Sequence, residues 1–140
     1  MENFTADAIY IDAPPEGVFG ALTDPEQIKV WLDASEVEMS LAPGGRFLVQ
    51  KGNGVKLSGS VAKSDPGRAL DIAGLIREES GQRRGPMALR FKLEAQGEGT
   101  WLTVRQEGLD SGPNWKAFAS AAKQELVQLT VVLKRHIEQI

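Results

Sequence analysis

The chain has 140 residues, a formal net charge of −3, one histidine and no cysteine, with 41% hydrophobic and 25% charged residues. This length and composition are typical of one compact domain spanning residues 1–140, and they argue against disorder. The weak negative charge disfavours a nucleic-acid partner, and the lack of cysteine excludes disulfides, thiolate catalysis and sulfur-ligated metals.

Apolar runs in the chain stay short of the roughly 18 residues that a membrane-spanning helix needs. The first residues also lack the basic region and apolar stretch of a secretory signal. We therefore expect no membrane span and a cytoplasmic location. His136 alone cannot form a histidine-rich zinc site, so we predict no metal and no cofactor.

The first third of the chain predicts one strand and two short helices. Residues 4–12 alternate weakly between apolar and polar, as a strand does. Two proline-containing segments follow, and each is placed at the start of a short helix, where proline loses no hydrogen bond. The first helix runs through Leu22, and the second, capped by Asp24, ends near Trp31.

The middle of the chain predicts six strands joined by glycine- and proline-rich turns. Asn53-Gly54 is the strongest hairpin signal, because this pair favours positive φ. Residues 77–86 carry five charges and no large apolar side chain before Met87, and we predict a mobile loop there. The predicted strands cover residues 35–41, 46–51, 55–63, 69–76, 87–94 and 101–109.

The segment from Trp115 to Ile140 predicts one long amphipathic helix, because apolar or small residues recur at gaps of three and four. Leu126 and Leu129 lie in the middle of this apolar stripe, and we expect both to be buried against the sheet. If a cavity lies beside Leu126, truncating that residue should cost less stability than truncating Leu129, which we place nearer the closed end.

This order of elements predicts an α+β fold. A curved seven-stranded antiparallel sheet wraps around the long C-terminal helix, and the two short helices follow the first strand. Consecutive hairpins give antiparallel pairing. A curved sheet around one helix leaves a hollow between them.

Several segments resemble the family of activators of the heat-shock protein 90 ATPase, and the resemblance runs through nearly the whole chain in the right order. The segments are residues 9–26 with Trp31 nearby, Pro43-Gly44-Gly45-Arg46-Phe47, Gly59 before Asp65-Pro66, and Gly99-Thr100-Trp101-Leu102-Thr103-Val104 with Glu107-Gly108-Leu109. That family is part of the helix-grip superfamily, with the birch pollen allergen, steroid-transfer (START) domains and polyketide cyclases. The resemblance implies the helix-grip fold, a cavity for apolar or amphipathic small molecules and, through the eukaryotic relatives, a chaperone partner.

The long helix departs from the family at Glu125-Leu126, where many bacterial members carry a Gly-Trp pair. The resemblance therefore implies a cavity without that aromatic wall. Glu125 either lines a more polar pocket or faces solvent.

Candidate site residues are mainly aromatic and methionine side chains at positions expected to face inward. Core packing alone would explain each of them, but several together could bound a ligand cavity, since such cavities are mostly apolar. We predict no catalytic residues. The cavity candidates are Trp31, Met39, Phe47, Asp71, Met87, Leu89, Phe91, Trp101, Trp115, Phe118, Ala122 and Leu126.

Three functions are compatible with this pattern. The first is binding of a hydrophobic or amphipathic small molecule between the sheet and the long helix. The second is a protein-interaction module related to chaperone ATPase activators, acting through its outer surface at residues 77–86. The third is a cyclase- or hydrolase-type enzyme that uses Asp71 or Glu125 as a buried acid or base. A homodimer is compatible with all three.

Overall fold

A computed structural model describes residues 3–110 and 114–139 of the chain. The seven strands are β1 (Phe4–Ile11), β2 (Ala34–Met39), β3 (Arg46–Lys51), β4 (Lys56–Asp65), β5 (Ala69–Glu79), β6 (Gln82–Gln96) and β7 (Gly99–Glu107). The three helices are α1 (Pro15–Thr23), α2 (Pro25–Trp31) and α3 (Trp115–Glu138). The strands form one antiparallel sheet in the order β1-β7-β6-β5-β4-β3-β2, so the predicted α+β fold is confirmed.

The two short helices start at prolines, as predicted, and a hydrogen bond joins them. Asp24 accepts a hydrogen bond from the backbone N–H of Glu26 at 3.1 Å and so caps α2. The indole N–H of Trp31 donates to the carbonyl of Ala21 at 2.9 Å. This carbonyl lies in the last turn of α1, where helix carbonyls lack intrahelical partners. The bond therefore fixes the end of α2 and the buried Trp31 ring.

The prediction of a mobile loop at residues 77–86 is wrong. Both strands continue through this segment, with Arg77 opposite Arg84 and Glu78 opposite Arg83. The hairpin turns at Ser80-Gly81, where φ is 52° and 80°. Positive φ at both turn positions matches the twist of a two-residue hairpin, so the pair of residues that the sequence analysis passed over is the turn signal.

The helix α3 lies along the edge strand β1. The ammonium groups of Lys123 and Lys134 donate to the backbone carbonyls of Ala6 and Tyr10, the second at 2.7 Å. The Thr130 hydroxyl, which is buried within α3, bonds to the Asp7 carboxylate at 2.8 Å. Edge strands expose unpaired backbone groups that invite aggregation, and α3 supplies donors to two backbone carbonyls of β1.

The buried face of α3 differs in one respect from the prediction. Leu126 is buried, with 3% of its surface exposed, but Leu129 is only partly buried, so the expectation of a fully buried Leu129 is wrong. The fully buried residue further along the stripe is Leu133. Ile140, the last residue of the predicted helix, lies outside the described residues.

Candidate functional site

A cavity of about 960 Å³ lies between the concave face of the sheet and the helices α2 and α3. This volume lies at the upper end of the roughly 300–1,000 Å³ typical of small-molecule sites. Its apolar lining consists of Leu22, Ile28, Trp31, Leu32, Met39, Phe47, Leu57, Leu70, Ile72, Leu75, Met87, Leu89, Phe91, Leu126, Val127, Leu129 and Val132.

Several large apolar side chains of this lining are incompletely buried. Met39, Leu57, Leu89, Leu129 and Val132 all line the cavity, and each is only partly buried although it packs against the core. In a solid core these inward positions would be covered by neighbouring side chains, since interiors are close-packed. Apolar surface is therefore available to a ligand inside the fold.

Most of the predicted aromatic and methionine positions meet at this cavity. The strand residues among them face inward by the two-residue alternation of their strands. The predicted residues that line the cavity are Trp31, Met39, Phe47, Met87, Leu89, Phe91 and Leu126.

Asp71 and Trp101 lie on the outer face of the sheet instead, so the expectation that they face the cavity is wrong. Asp71 stands between the buried Leu70 and Ile72, and its carboxylate pairs with Arg90 at 3.1 Å. Trp101 precedes the buried Leu102 and is 39% exposed. Successive strand residues point to opposite faces, so buried neighbours place both side chains outside.

The start of α3 extends beyond the cavity. Trp115 and Phe118 are partly buried in its first turns, and the Arg84 guanidinium lies 4.2 Å from the centre of the Phe118 ring. Ala122 is 2% exposed and belongs to the core. These three residues were expected to line the cavity; they belong to the helix that forms one wall but lie outside the lining.

The polar residues Gln106 and Arg77 of the cavity wall were not identified from the sequence. Gln106 continues the inward face of β7 after Leu102 and Val104, and its amide donates to the Met87 sulfur at 3.5 Å. The same alternation that identifies Leu102 could have identified it. Arg77 was placed in a loop, so no strand pattern was applied to it.

The cavity opens on the flank of α3 that faces away from β1. The solvent-exposed lining residues come from α3 and from the segments opposite it: Asp33, Gly52, Asn53, Ala121, Lys123, Gln124, Glu125, Val127 and Gln128. Among these, Lys123 bonds to β1. One flank of α3 is thus fixed to β1, and the other borders the mouth.

An ion pair between Arg77 on β5 and Glu125 on α3 spans this mouth. Both terminal nitrogens of Arg77 donate to the two carboxylate oxygens of Glu125, at 2.6 and 2.9 Å. The Arg77 side chain is 16% exposed and that of Glu125 is 55% exposed. Glu125 therefore lines the mouth and reaches solvent, and it does not face an apolar wall.

The outer face of the sheet carries a separate charged network. Arg90 bonds to Asp71 and Glu107, and Arg105 bonds to Glu107 and lies 3.6 Å from the centre of the Phe4 ring. Hydrogen bonds from Arg90, then from Arg105, hold the pKa of Glu107 below its ordinary value. Glu107 in turn raises the pKa of Arg90. This network joins β5, β6 and β7 on the side away from the cavity.

Residues 3–110 and 114–139 contain no cluster of three or more histidine, cysteine, aspartate or glutamate side chains that could hold a metal ion. Within the same residues, no helix combines the length and the apolar character needed to span a membrane.

A curved antiparallel sheet closed around a long helix, with a hollow between them, defines a helix-grip protein. Residues 12–134 match the family described as activator of Hsp90 ATPase homolog 1-like protein. The chain belongs to this family, as the sequence resemblance implied.

Solved structures share the fold at low sequence identity. Protein MLL2253 from Mesorhizobium loti is 24% identical over 97% of both chains, with a TM-score of 0.79. A Rhodobacter sphaeroides protein is 21% identical over 99% of this chain and 94% of its own, with a TM-score of 0.76. DynU16, a protein in the dynemicin biosynthetic locus, is 18% identical with a TM-score of 0.80; 99% of this chain covers 48% of DynU16. No curated protein sequence matches the chain.

Proposed function

We propose that this protein binds a hydrophobic or amphipathic small molecule in the cavity between the sheet and α3. The observation that carries the proposal is the set of partly buried apolar side chains around a cavity of about 960 Å³ that opens beside α3. Covering this surface with a ligand removes it from water, at about 25 cal/mol for each Å² buried.

The geometry gives less support to catalysis. The enzyme hypothesis needed Asp71 or Glu125 as a carboxyl group against apolar walls. Asp71 pairs with Arg90 on the outer face, and Glu125 is exposed and paired with Arg77. Neither arrangement provides the apolar burial that the hypothesis required.

A chaperone partner is supported by the family's description alone. The segment proposed for that role, residues 77–86, forms a hairpin whose Arg77 and Arg84 contact α3. Ligand binding therefore remains the function that the site supports best.

Fluorescence titration with phenylnaphthylamine, a neutral probe that brightens in apolar surroundings, tests the proposal. Replacing Leu89 by Trp fills part of the cavity, because Leu89 lines it and is partly buried. We expect Leu89→Trp to weaken probe binding by about tenfold or more. The added indole would compete with the bound probe for space, and overpacking of this kind costs on the order of 1–3 kcal/mol. Displacement by lipids, sterols, polyketides and plant-type aromatics then ranks ligand classes.

Leu41→Trp is the matched control, because Leu41 is 39% exposed and lies outside the cavity lining. It should bind the probe as the unmodified protein does. Failure of the folded protein to bind phenylnaphthylamine or any displacing class would refute the proposal. Equal binding by the Leu89→Trp and Leu41→Trp variants would place the probe elsewhere.

A further inference from the structure

The cavity wall contains the guanidinium of Arg77, which is held by burial and by an ion pair. Arg77 lines the cavity, and only 16% of its side chain is exposed. Lys51 and Lys123 also line the cavity, and the Lys123 ammonium donates to the Ala6 carbonyl on the β1 side. Of these three cations, Arg77 is the one that a two-pronged ion pair with α3 fixes at the mouth.

The partner of this guanidinium is a solvent-exposed carboxylate that can rotate into water. Glu125 projects from α3 with 55% of its side chain exposed, and it occupies the two-pronged edge of Arg77 at 2.6 and 2.9 Å. Glu79 contacts the same group through one nitrogen at 3.5 Å and is also about half exposed. Exposed carboxylates regain most of their hydration when they rotate away, so replacing Glu125 costs little.

We propose that the ligand is an amphipathic anion whose acid group replaces Glu125 on Arg77 while its apolar body fills the cavity. This inference rests on the proposed function. A planar guanidinium can donate two parallel hydrogen bonds to a ligand carboxylate, as it does to Glu125. Charge-assisted bonds of this kind are stronger than neutral ones. A neutral alcohol that displaced Glu125 would leave part of the guanidinium unpaired, and a cation would be repelled by it.

Glu125 then acts as an internal competitor that keeps Arg77 paired while the cavity holds no acid. Its removal should raise the affinity for acids and leave the affinity for neutral ligands unchanged. Removal of Arg77 should abolish the difference between acid and neutral ligands. These two effects have opposite signs for the same ion pair, so simple loosening of the mouth does not produce them.

The experiment uses decanoic acid and decanol, which have the same chain and differ in the head group, to displace phenylnaphthylamine at neutral pH. We expect the unmodified protein to bind decanoate about tenfold more tightly than decanol. Arg77→Gln should bring the two affinities together. Arg83→Gln is the matched control, because it removes the same charge from a residue of the same hairpin that is 71% exposed. This variant should still bind decanoate more tightly than decanol.

Glu125→Gln provides a second, independent variant that keeps Arg77. We expect decanoate affinity to rise several-fold and decanol affinity to stay constant. Equal affinities for acid and alcohol in the unmodified protein, or a preference that survives Arg77→Gln, would overturn the inference while probe binding upholds the proposed function. If Arg77→Gln does not fold, an unchanged decanoate affinity in Glu125→Gln overturns it. Absence of probe binding refutes the proposed function itself.

Discussion

Truncating leucines along α3 should cost different amounts, depending on whether each leucine faces the cavity or solid core. Leu133 is fully buried and lies outside the cavity lining, whereas Leu129 lines the cavity and is only partly buried. Leu126 lines the cavity but is 3% exposed, so its position is intermediate. We therefore replace each of the three by alanine.

The expected magnitudes follow from where the lost volume goes. At Leu133 the substitution opens a new closed void, and about 100 Å³ at roughly 24 cal/mol per Å³ adds about 2.4 kcal/mol to the transfer term. The total should reach about 3–5 kcal/mol. At Leu129 the lost volume joins an existing cavity of about 960 Å³, and part of the side chain is already exposed. The cost there should fall to about 1–2 kcal/mol.

Urea unfolding followed by circular dichroism measures these differences, provided that the denaturant slope is the same in all variants. The losses should increase from Leu129→Ala through Leu126→Ala to Leu133→Ala. This reverses the order of Leu126 and Leu129 expected from the sequence, because both line the cavity and Leu129 is the less buried of the two. Phenylnaphthylamine titration of the same variants adds a control, because Leu129→Ala should change probe affinity and Leu133→Ala should not. Losses equal to within about 0.5 kcal/mol would mean that Leu129 packs in solid core, and would refute the reasoning.

Two further predictions concern polar groups, the Glu107 carboxylate and the Trp31 indole N–H. Because bonds from Arg90 and Arg105 lower the pKa of Glu107, its stabilisation is complete above the ordinary carboxyl pKa of about 4.5 and is lost as pH falls through the lowered value. Glu107→Gln should therefore lower the melting temperature at neutral pH, and the difference should vanish in strong acid; a constant difference would contradict the ion-pair account. Trp31→Phe leaves the Ala21 carbonyl without its donor and should cost about 1–3 kcal/mol in urea unfolding. The exposed Trp101→Phe should cost less than about 0.5 kcal/mol, and equal losses would contradict this role of the indole.

The sequence predicts the order of elements and places seven candidate residues at the cavity wall, because both depend on local periodicity. Met87, Leu89 and Phe91 alternate with charged residues, and the same alternation places them on one face of β6. Trp101 was assigned by residue type instead of by its position next to Leu102, so its face was predicted wrongly. Within a strand, the position in the alternation, and not the type of side chain, decides which face of the sheet a residue occupies.

The mouth of the cavity could not be predicted in the same way. Arg77 and Glu125 are 48 residues apart and meet only because the hairpin of β5 and β6 reaches α3. Long-range pairing of this kind leaves no periodic signal in either segment. The single domain over residues 1–140, the cytoplasmic location, the absence of a cofactor and the homodimer stay predictions.

The attachment of α3 to β1 bears on how proteins with this fold diverge. Lys123 and Lys134 bond to the main-chain carbonyls of Ala6 and Tyr10, which every amino acid supplies. Substitutions in β1 therefore preserve these acceptors, while the opposite flank of α3 is free to change the residues that meet a ligand. Because the acceptors are backbone atoms, side chains of β1 can change without loss of this attachment, and residues at the cavity mouth can change independently of it.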